Sequence, residues 1–163
     1  MHIVQMLTYE RLTHLLNYDP VTGLFSWRHP QSPKTKIGQP AGTITARGYV
    51  AICLDYKLYY AHRLAWLYTH RIWPTKAIDH RDRNKGNNRL ANLREADGTQ
   101  NQANRGPQKN NTGFKGVTKH RNGYMARVGY KGKQLYVGFY LTPEAAAEAR
   151  LAKSIELAGE FAA

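Results

Sequence analysis

Short helical and short alternating patterns of apolar residues succeed one another along the chain. Residues 8–17 place Leu12, Leu15 and Leu16 on one side of a short helix. Asp19-Pro20-Val21-Thr22-Gly23 then reads as a turn, and Leu24-Phe25-Ser26-Trp27 as a strand. Residues 30–40 are loop-like and basic. Residues 42–54 and 57–60 alternate well enough to predict a hairpin turning at Asp55-Tyr56. His62, Leu64, Ala65, Leu67 and Tyr68 form one side of a longer helix, which Trp73-Pro74 is expected to end.

A second pattern covers residues 77–105. Ile78 enters a hairpin whose middle is rich in Asn and Gly, and Leu90, Leu93 and Ala96 supply its small apolar set. Asp97-Gly98-Thr99-Gln100 has the form of a capping box, with Asp97 as N-cap and Gln100 three residues on. The helix it starts runs from about Gly98 to before Gly106-Pro107, with Asn101 in or just after its first turn. Residues 106–112 have nothing to bury and read as a linker.

The third pattern is strand, strand, strand, helix. Residues 114–119, 124–130 and 135–140 are the predicted strands, with turns at Arg121-Asn122-Gly123 and Lys131-Gly132-Lys133. Thr142-Pro143-Glu144 opens the helix, and Gly159 closes it. A stripe of Ala145, Ala149, Ala152 and Ile155 is expected to face the sheet, with Phe114 and Phe139 in the core. The whole is an α+β protein with domains at 1–105 and 113–163.

Composition narrows the partners. Twenty-four Lys and Arg against eleven Asp and Glu leave a net charge of +13 over 163 residues. Such an excess favours polyanions, nucleic acid above all. No acidic residue occurs from Gly98 to Pro143, and aromatics interleave with the cations there. No apolar run reaches the ~18 residues of a membrane span. Residues 1–7 do not form a secretory signal pattern. The single cysteine, Cys53, excludes an internal disulfide and suits a reducing, cytoplasmic setting.

One constellation points to a reaction. Asp79 and His80 are followed, after the polar hairpin, by Asn101. A phosphodiester resists hydrolysis because its anion repels a nucleophile and its leaving alkoxide is poor. A cation on the phosphate oxygens answers both problems. Asp79 can supply a carboxylate oxygen and Asn101 an amide oxygen, hard ligands that suit Mg²⁺ or Mn²⁺. His80, with an ordinary pKa near about 6.5, is suited to activating water. Adjacent residues of an ideal strand point to opposite faces, so a bulge or end-of-strand twist is needed if both serve one site.

These residues also carry a resemblance. Residues 77–105, from Ile78-Asp79-His80-Arg81-Asp82 through Asn92-Leu93-Arg94, resemble the HNH nuclease family of phage and homing enzymes, whose ββα-metal fold holds a site between a hairpin and a helix. The resemblance implies His80 as general base, Asp79 and Asn101 as ligands of one Mg²⁺ or Mn²⁺, and Asn92 as a brace of the hairpin loop. Asn101 stands where other branches have a last histidine. Asn104 is the weaker ligand candidate. Arg83 stands where the family often has glycine. Tyr18 to Trp27 and Tyr60 to Trp66 also resemble segments ahead of the motif in phage relatives, with His62 and Arg63 as candidate contacts to the scissile phosphate. Residues 113–159 resemble the plant ethylene-response-factor DNA-binding domain through Gly113-Phe114-Lys115-Gly116-Val117, Tyr136-Val137-Gly138-Phe139 and Pro143-Glu144-Ala145-Ala146. That resemblance implies double-stranded DNA as partner, with Lys115 and Tyr136 at contacting positions. Lys119, Arg121, Arg127 and Lys133 are candidates for backbone contacts. Thr118, His120 and Gln134 replace family arginines, so base specificity does not carry over. The expected protein is a DNA endonuclease, monomeric or weakly dimeric. A DNA-binding regulator with a silent nuclease fold and an RNA-binding accessory protein are the rivals.

Overall fold

In the computed structural model of the chain, which describes residues 7–106 and 110–162, Thr8 begins the first helix: its Oγ1 accepts the N–H of Arg11 at 3.2 Å. The described residues form a mixed α+β structure of four α-helices and small sheets. It divides into two compact units between Glu95 and Ala96. Part of the expected linker, residues 107–109, lies outside the described residues. No helix among the described residues is long and apolar enough to cross a membrane.

In the first unit, helix α1 (Tyr9–Leu15) is shorter than its pattern suggested. Leu16 turns extended and opens a strand, β1 (Leu16–Asp19), which pairs antiparallel with β2 (Leu24–Trp27). The connecting turn is built by Asp19, whose carboxylate accepts the N–H of Val21 at 2.9 Å and the hydroxyl of Thr22 at 2.7 Å. The expected strand over 42–54 is broken, because Gly48 N–H folds back to the carbonyl of Thr45 at 2.8 Å. Strands β3 (Thr43–Ile44), β4 (Val50–Leu54) and β5 (Lys57–Tyr60) form a three-stranded sheet, with Asp55-Tyr56 as the tight turn. Helix α2 (Ala61–His70) stops at Arg71, which turns left-handed at φ 61°, before Trp73-Pro74 is reached.

Strands β6 (Ala77–His80) and β7 (Leu93–Ala96) pair with each other. Ile78 and Leu93 drop into the core that α1, β1, β2, β4 and α2 share, beside Leu12, Leu16, Phe25, Ile52, Leu54 and Leu64. Burial of each such side chain contributes about 1.5–3 kcal/mol. The hairpin that carries His80 is therefore anchored by packing at both ends of its long loop.

In the second unit, helix α3 (Gly98–Asn104) begins with both bonds of the capping box: Asp97 accepts from Gln100 N at 2.8 Å, and Gln100 accepts from Asp97 N at 2.9 Å. Strands β8 (Val117–His120), β9 (Gly123–Tyr130) and β10 (Lys133–Tyr140) form an antiparallel sheet with β9 central. Helix α4 (Pro143–Ala158) covers one face, capped by Thr142, with Val117, Ala126 and Ala146 at the contact.

Two expectations about this unit are corrected. Phe139 is 47% exposed, not core. A bulge between Tyr136 and Gly138 shifts the register, so Tyr136 faces Arg127 while Phe139 faces Met125. One inserted residue reverses the alternation and puts Tyr136 and Phe139 on the same, open face. Gly123 makes room for the Phe139 ring, which a Cβ would meet at 2.4 Å. The stripe of α4 that faces inward is Ala146, Arg150 and Ser154, one residue round from the expected one, and Ile155 is 54% exposed. Small side chains at the sheet contact and a guanidinium replace the apolar residues that periodicity would choose.

The turn between β1 and β2 is docked on the hairpin loop of β6 and β7. Gly23 has φ +75°, and a Cβ there would lie 2.3 Å from Arg89 N and 2.5 Å from Asn88 C. Gly23→Ala is expected to destabilise the protein by about 2–3 kcal/mol through strain and backbone collision. A lower urea midpoint with unchanged slope checks this, and an unaltered midpoint would contradict it.

Candidate active site

His80 is the last residue of β6, and the chain turns at once: Arg83 N–H donates to the His80 carbonyl at 2.9 Å. Arg83 has φ 64°, the left-handed region where glycine is at ease, which accounts for glycine as the usual residue of the resembling motif. The loop beyond is held by side chains. Asn92 Nδ2 donates to Asp82 Oδ1 at 2.9 Å and to the Asn87 carbonyl at 2.8 Å, and its Oδ1 accepts Asp82 N–H at 3.0 Å. Asn87 Nδ2 donates to Asp82 Oδ2 at 2.6 Å. Burial pushes the Asp82 pKa up, but the bonds from Asn87, Asn84 and Asn92 outweigh it and hold the carboxyl below its ordinary range.

This loop delivers Asn88 to His80. Asn88 is buried, its carbonyl accepts the Tyr18 hydroxyl at 2.7 Å, and its Nδ2 donates to the Gly86 carbonyl at 3.2 Å. With Nδ2 so committed, Oδ1 faces His80 Nε2 at 3.3 Å. Nε2 is then the donor, and Nδ1 is the nitrogen that carries the lone pair.

The His80 ring is 5% exposed, in a nest of rings. His62, near the start of α2, lies edge-to-face at 5.1 Å, and Tyr49 at 6.1 Å. Burial pushes the His80 pKa below its ordinary value, more than Asn88, Asp82 and Asp79 raise it, and Lys85 lowers it further. His80 is thus neutral and able to accept a proton at neutral pH. His62 is 7% exposed, its Nδ1 has no hydrogen-bond partner among the described residues, and burial with the neighbouring His80 and Arg63 drives its pKa down to about 3. Lys85 brings a cation to the same nest, with Nζ 4.8 Å from the Tyr49 ring centroid and donating to the Arg47 carbonyl at 3.1 Å.

Asp79 has a different neighbour. Its Oδ2 accepts both Nε and Nη2 of Arg94, each at 2.9 Å, and both residues are buried. Strand alternation explains the division, with His80 turned to the ring nest and Asp79 to the facing strand. Arg63, instead of joining His62, lies over the Trp73 ring at 5.7 Å and donates to the Pro74 carbonyl at 3.5 Å. Asn101 is half-buried in the first turn of α3, in the second unit, and Asn104 is buried on the same helix. Among the described residues no three His, Cys, Asp or Glu side chains are grouped as a metal cage. The expected ligands offer a carboxylate oxygen (Asp79) and an amide oxygen (Asn101), each a hard donor of the type a magnesium-like ion takes. Arg94 is the kind of second, hydrogen-bonded group that commonly orients such a carboxylate.

Sequence reasoning did not single out Asn88, Arg94, Tyr49 or Lys85. Asn88 looked like turn chemistry, and the Asp79–Arg94 pair becomes visible only once β6 and β7 are placed side by side.

The basic residues of the second unit separate by face. Arg127 and Tyr136 are opposite each other on the open side of the sheet, with His120, Gln134 and Phe139. Lys119 pairs with Tyr124 and Lys133 with Tyr130, so both fall on the α4 side by alternation, exposed at its margins. Arg121 is in the β8–β9 turn at φ 50°. Lys115 is engaged: its ammonium donates to the carbonyls of Gln102, at 3.3 Å, and Ala103, at the end of α3.

Residues 59–103 match the family model described as HNH endonuclease. The match spans α2, both strands of the hairpin and α3 up to its last residue but one, and includes His62, Asp79, His80, Asn88, Asn92, Arg94 and Asn101. It supports a nuclease, and endonuclease activity at the general level, with DNA as the implied substrate. No curated protein and no solved structure matches the chain.

The buried histidines make stability depend on acid. The His62 pKa falls from 6.5 unfolded to about 3 folded, so its contribution is intact above 6.5 and is lost as pH falls through that window. The shift of His80 has the same sign. The thermal midpoint of His62→Phe is expected to fall less steeply between pH 6.5 and 4 than that of wild type. Equal slopes would contradict the assigned burial.

Proposed function

We propose that the chain is a metal-dependent DNA endonuclease of the HNH type, of the phage or homing kind, hydrolysing a phosphodiester with His80 as general base. The observation that carries this reading is His80 itself: buried, neutral at neutral pH, and bonded through Nε2 to Asn88 so that Nδ1 accepts the proton of an attacking water. A base so placed is worth about 10²–10⁴-fold in rate. Asp79 and Asn101 would hold one Mg²⁺ or Mn²⁺ in a ββα-metal arrangement. When bound, the ion neutralises the phosphate and stabilises the leaving oxygen. Arg94 fixes the Asp79 carboxylate, Asn92 braces the loop, and His62 packs edge-on against the base. His62 is kept neutral there, so it does not repel the proton His80 must take. Lys85 adds a positive charge that draws the phosphate toward the nest.

In the same reading the second unit docks on duplex DNA, in the manner of the ethylene-response-factor domain it resembles. Arg127 and Tyr136 meet the strand on the open face and Arg121 at the turn, with Lys119 and Lys133 adding charge at the margins. Lys115 acts by holding α3. One site per chain nicks most simply as a monomer, and a weak dimer would cut both strands. Tethering the two activities raises the local concentration of DNA at the base. The buried pairing of Asp79 with Arg94 is the observation that favours a second reading, a DNA-binding regulator without catalysis, because the carboxylate is already neutralised.

A supercoiled-plasmid assay separates the two. With Mg²⁺ or Mn²⁺ the wild type nicks, and His80→Ala is slower by about 10²–10⁴-fold while still binding DNA. Activity holds to pH below 6.5, because His80 must lose its proton to work and its pKa is lowered. A wild type that shifts DNA on a gel yet nicks none in any divalent metal overturns the enzyme reading.

A further inference from the structure

Arg150 is 5% exposed on the inward stripe of α4, between Ala146 and Ser154. Burial lowers its pKa from the ordinary arginine value. Its side chain passes the start of β8, where the Cβ that Gly116 lacks would lie 3.4 Å from Arg150 Nε. There it lines a cavity of about 300 Å³. Arg105, Lys115 and Arg127 line the same cavity, and Gln102 and Gln134 add side-chain amides. No acidic residue lines it. Four cations around one space far larger than the roughly 30 Å³ of a water molecule suit a phosphate group with its ester substituents. Arg127, Gly129 and Gln134 belong to the open face of the sheet, so the cavity meets that face beside the Arg127–Tyr136 pair. Aromatic rings for bases and a cationic hollow for phosphate are the two parts of a nucleic-acid strand site.

We propose that this cavity binds one phosphate group of a DNA strand lying across the open face, with Arg127 at its rim and Arg150 at its floor. The proposal rests on the reading of the second unit as a DNA-docking module. It adds a phosphate site that includes a helix residue from behind the sheet.

Affinity of the full chain for fluorescent duplex DNA, measured without divalent metal at several salt concentrations, tests it independently of cleavage. Arg127→Gln is expected to reduce the slope of log affinity against log salt by about 0.9, the loss of one phosphate contact. Gln134→Glu, which puts a carboxylate at the rim, should weaken binding about tenfold, and Gln134→Leu much less. Arg150→Gln should match Arg127→Gln. If that buried change unfolds the protein, the two rim variants decide. In ¹⁵N spectra the Arg150 Nε–H signal should move on adding DNA. Wild-type binding with slopes unchanged in Arg127→Gln and Gln134→Glu overturns the proposal and leaves DNA docking standing. No binding by wild type overturns both. A signal that moves with inorganic phosphate but not with DNA identifies a site for free phosphate and also overturns it.

Discussion

The bond from the Tyr18 hydroxyl to the Asn88 carbonyl, at 2.7 Å, ties a polar loop to an apolar core. Much of the site depends on it. The loop between β6 and β7 has little to bury, and its internal amide bonds give it shape without giving it a place. Place comes from the β1–β2 hairpin, where Tyr18 reaches in and Gly23 lets the backbone of Asn88 and Arg89 approach within contact. Leu90 N–H adds a bond to the Pro20 carbonyl at 3.1 Å. Burial raises the Tyr18 pKa, so its hydroxyl stays a donor throughout the working range. A turn more than sixty residues upstream thus sets where Asn88 Oδ1 stands, and Asn88 sets the tautomer of His80.

The electrostatics follow from burial in the same way. Inside the nest of Tyr49, His62 and His80, desolvation disfavours every positive imidazole, and His80 adds to the cost of charging His62. The result is two neutral rings side by side, one of them bonded to Asn88. Asp79, the preceding residue of β6, turns instead to Arg94 in a buried pair. A period of two along one short strand gives the two neighbours different partners.

Local chemistry made much of this legible. The capping box at Asp97 and Gln100, the Thr142-Pro143-Glu144 helix start and the Asp55-Tyr56 turn are each specified by a few adjacent residues, and each forms where the sequence places it. What was not legible depends on partners distant in sequence. Leu16 fits a helical face as well as it fits a strand, and only pairing with Trp27 decides for β1. The bulge after Tyr136 turns Phe139 outward, although phenylalanine in an alternating run reads as core. Arg150 occupies a buried position that periodicity assigns to apolar residues, because the sheet contact there needs small groups and a cavity opens beyond it. At the site, Asp79 and His80 stood out by chemical type. Asn88 did not, since one asparagine among several is distinguished only by what it touches.

The central claim is that His80 is a neutral base with its proton on Nε2. Its ring nitrogens can be observed directly by ¹⁵N NMR of the histidine-labelled protein across a pH titration. The account predicts the Nε2-protonated tautomer at neutral pH and a titration midpoint below 6.5. A ring protonated on Nδ1, or a midpoint at or above 6.5, would contradict it.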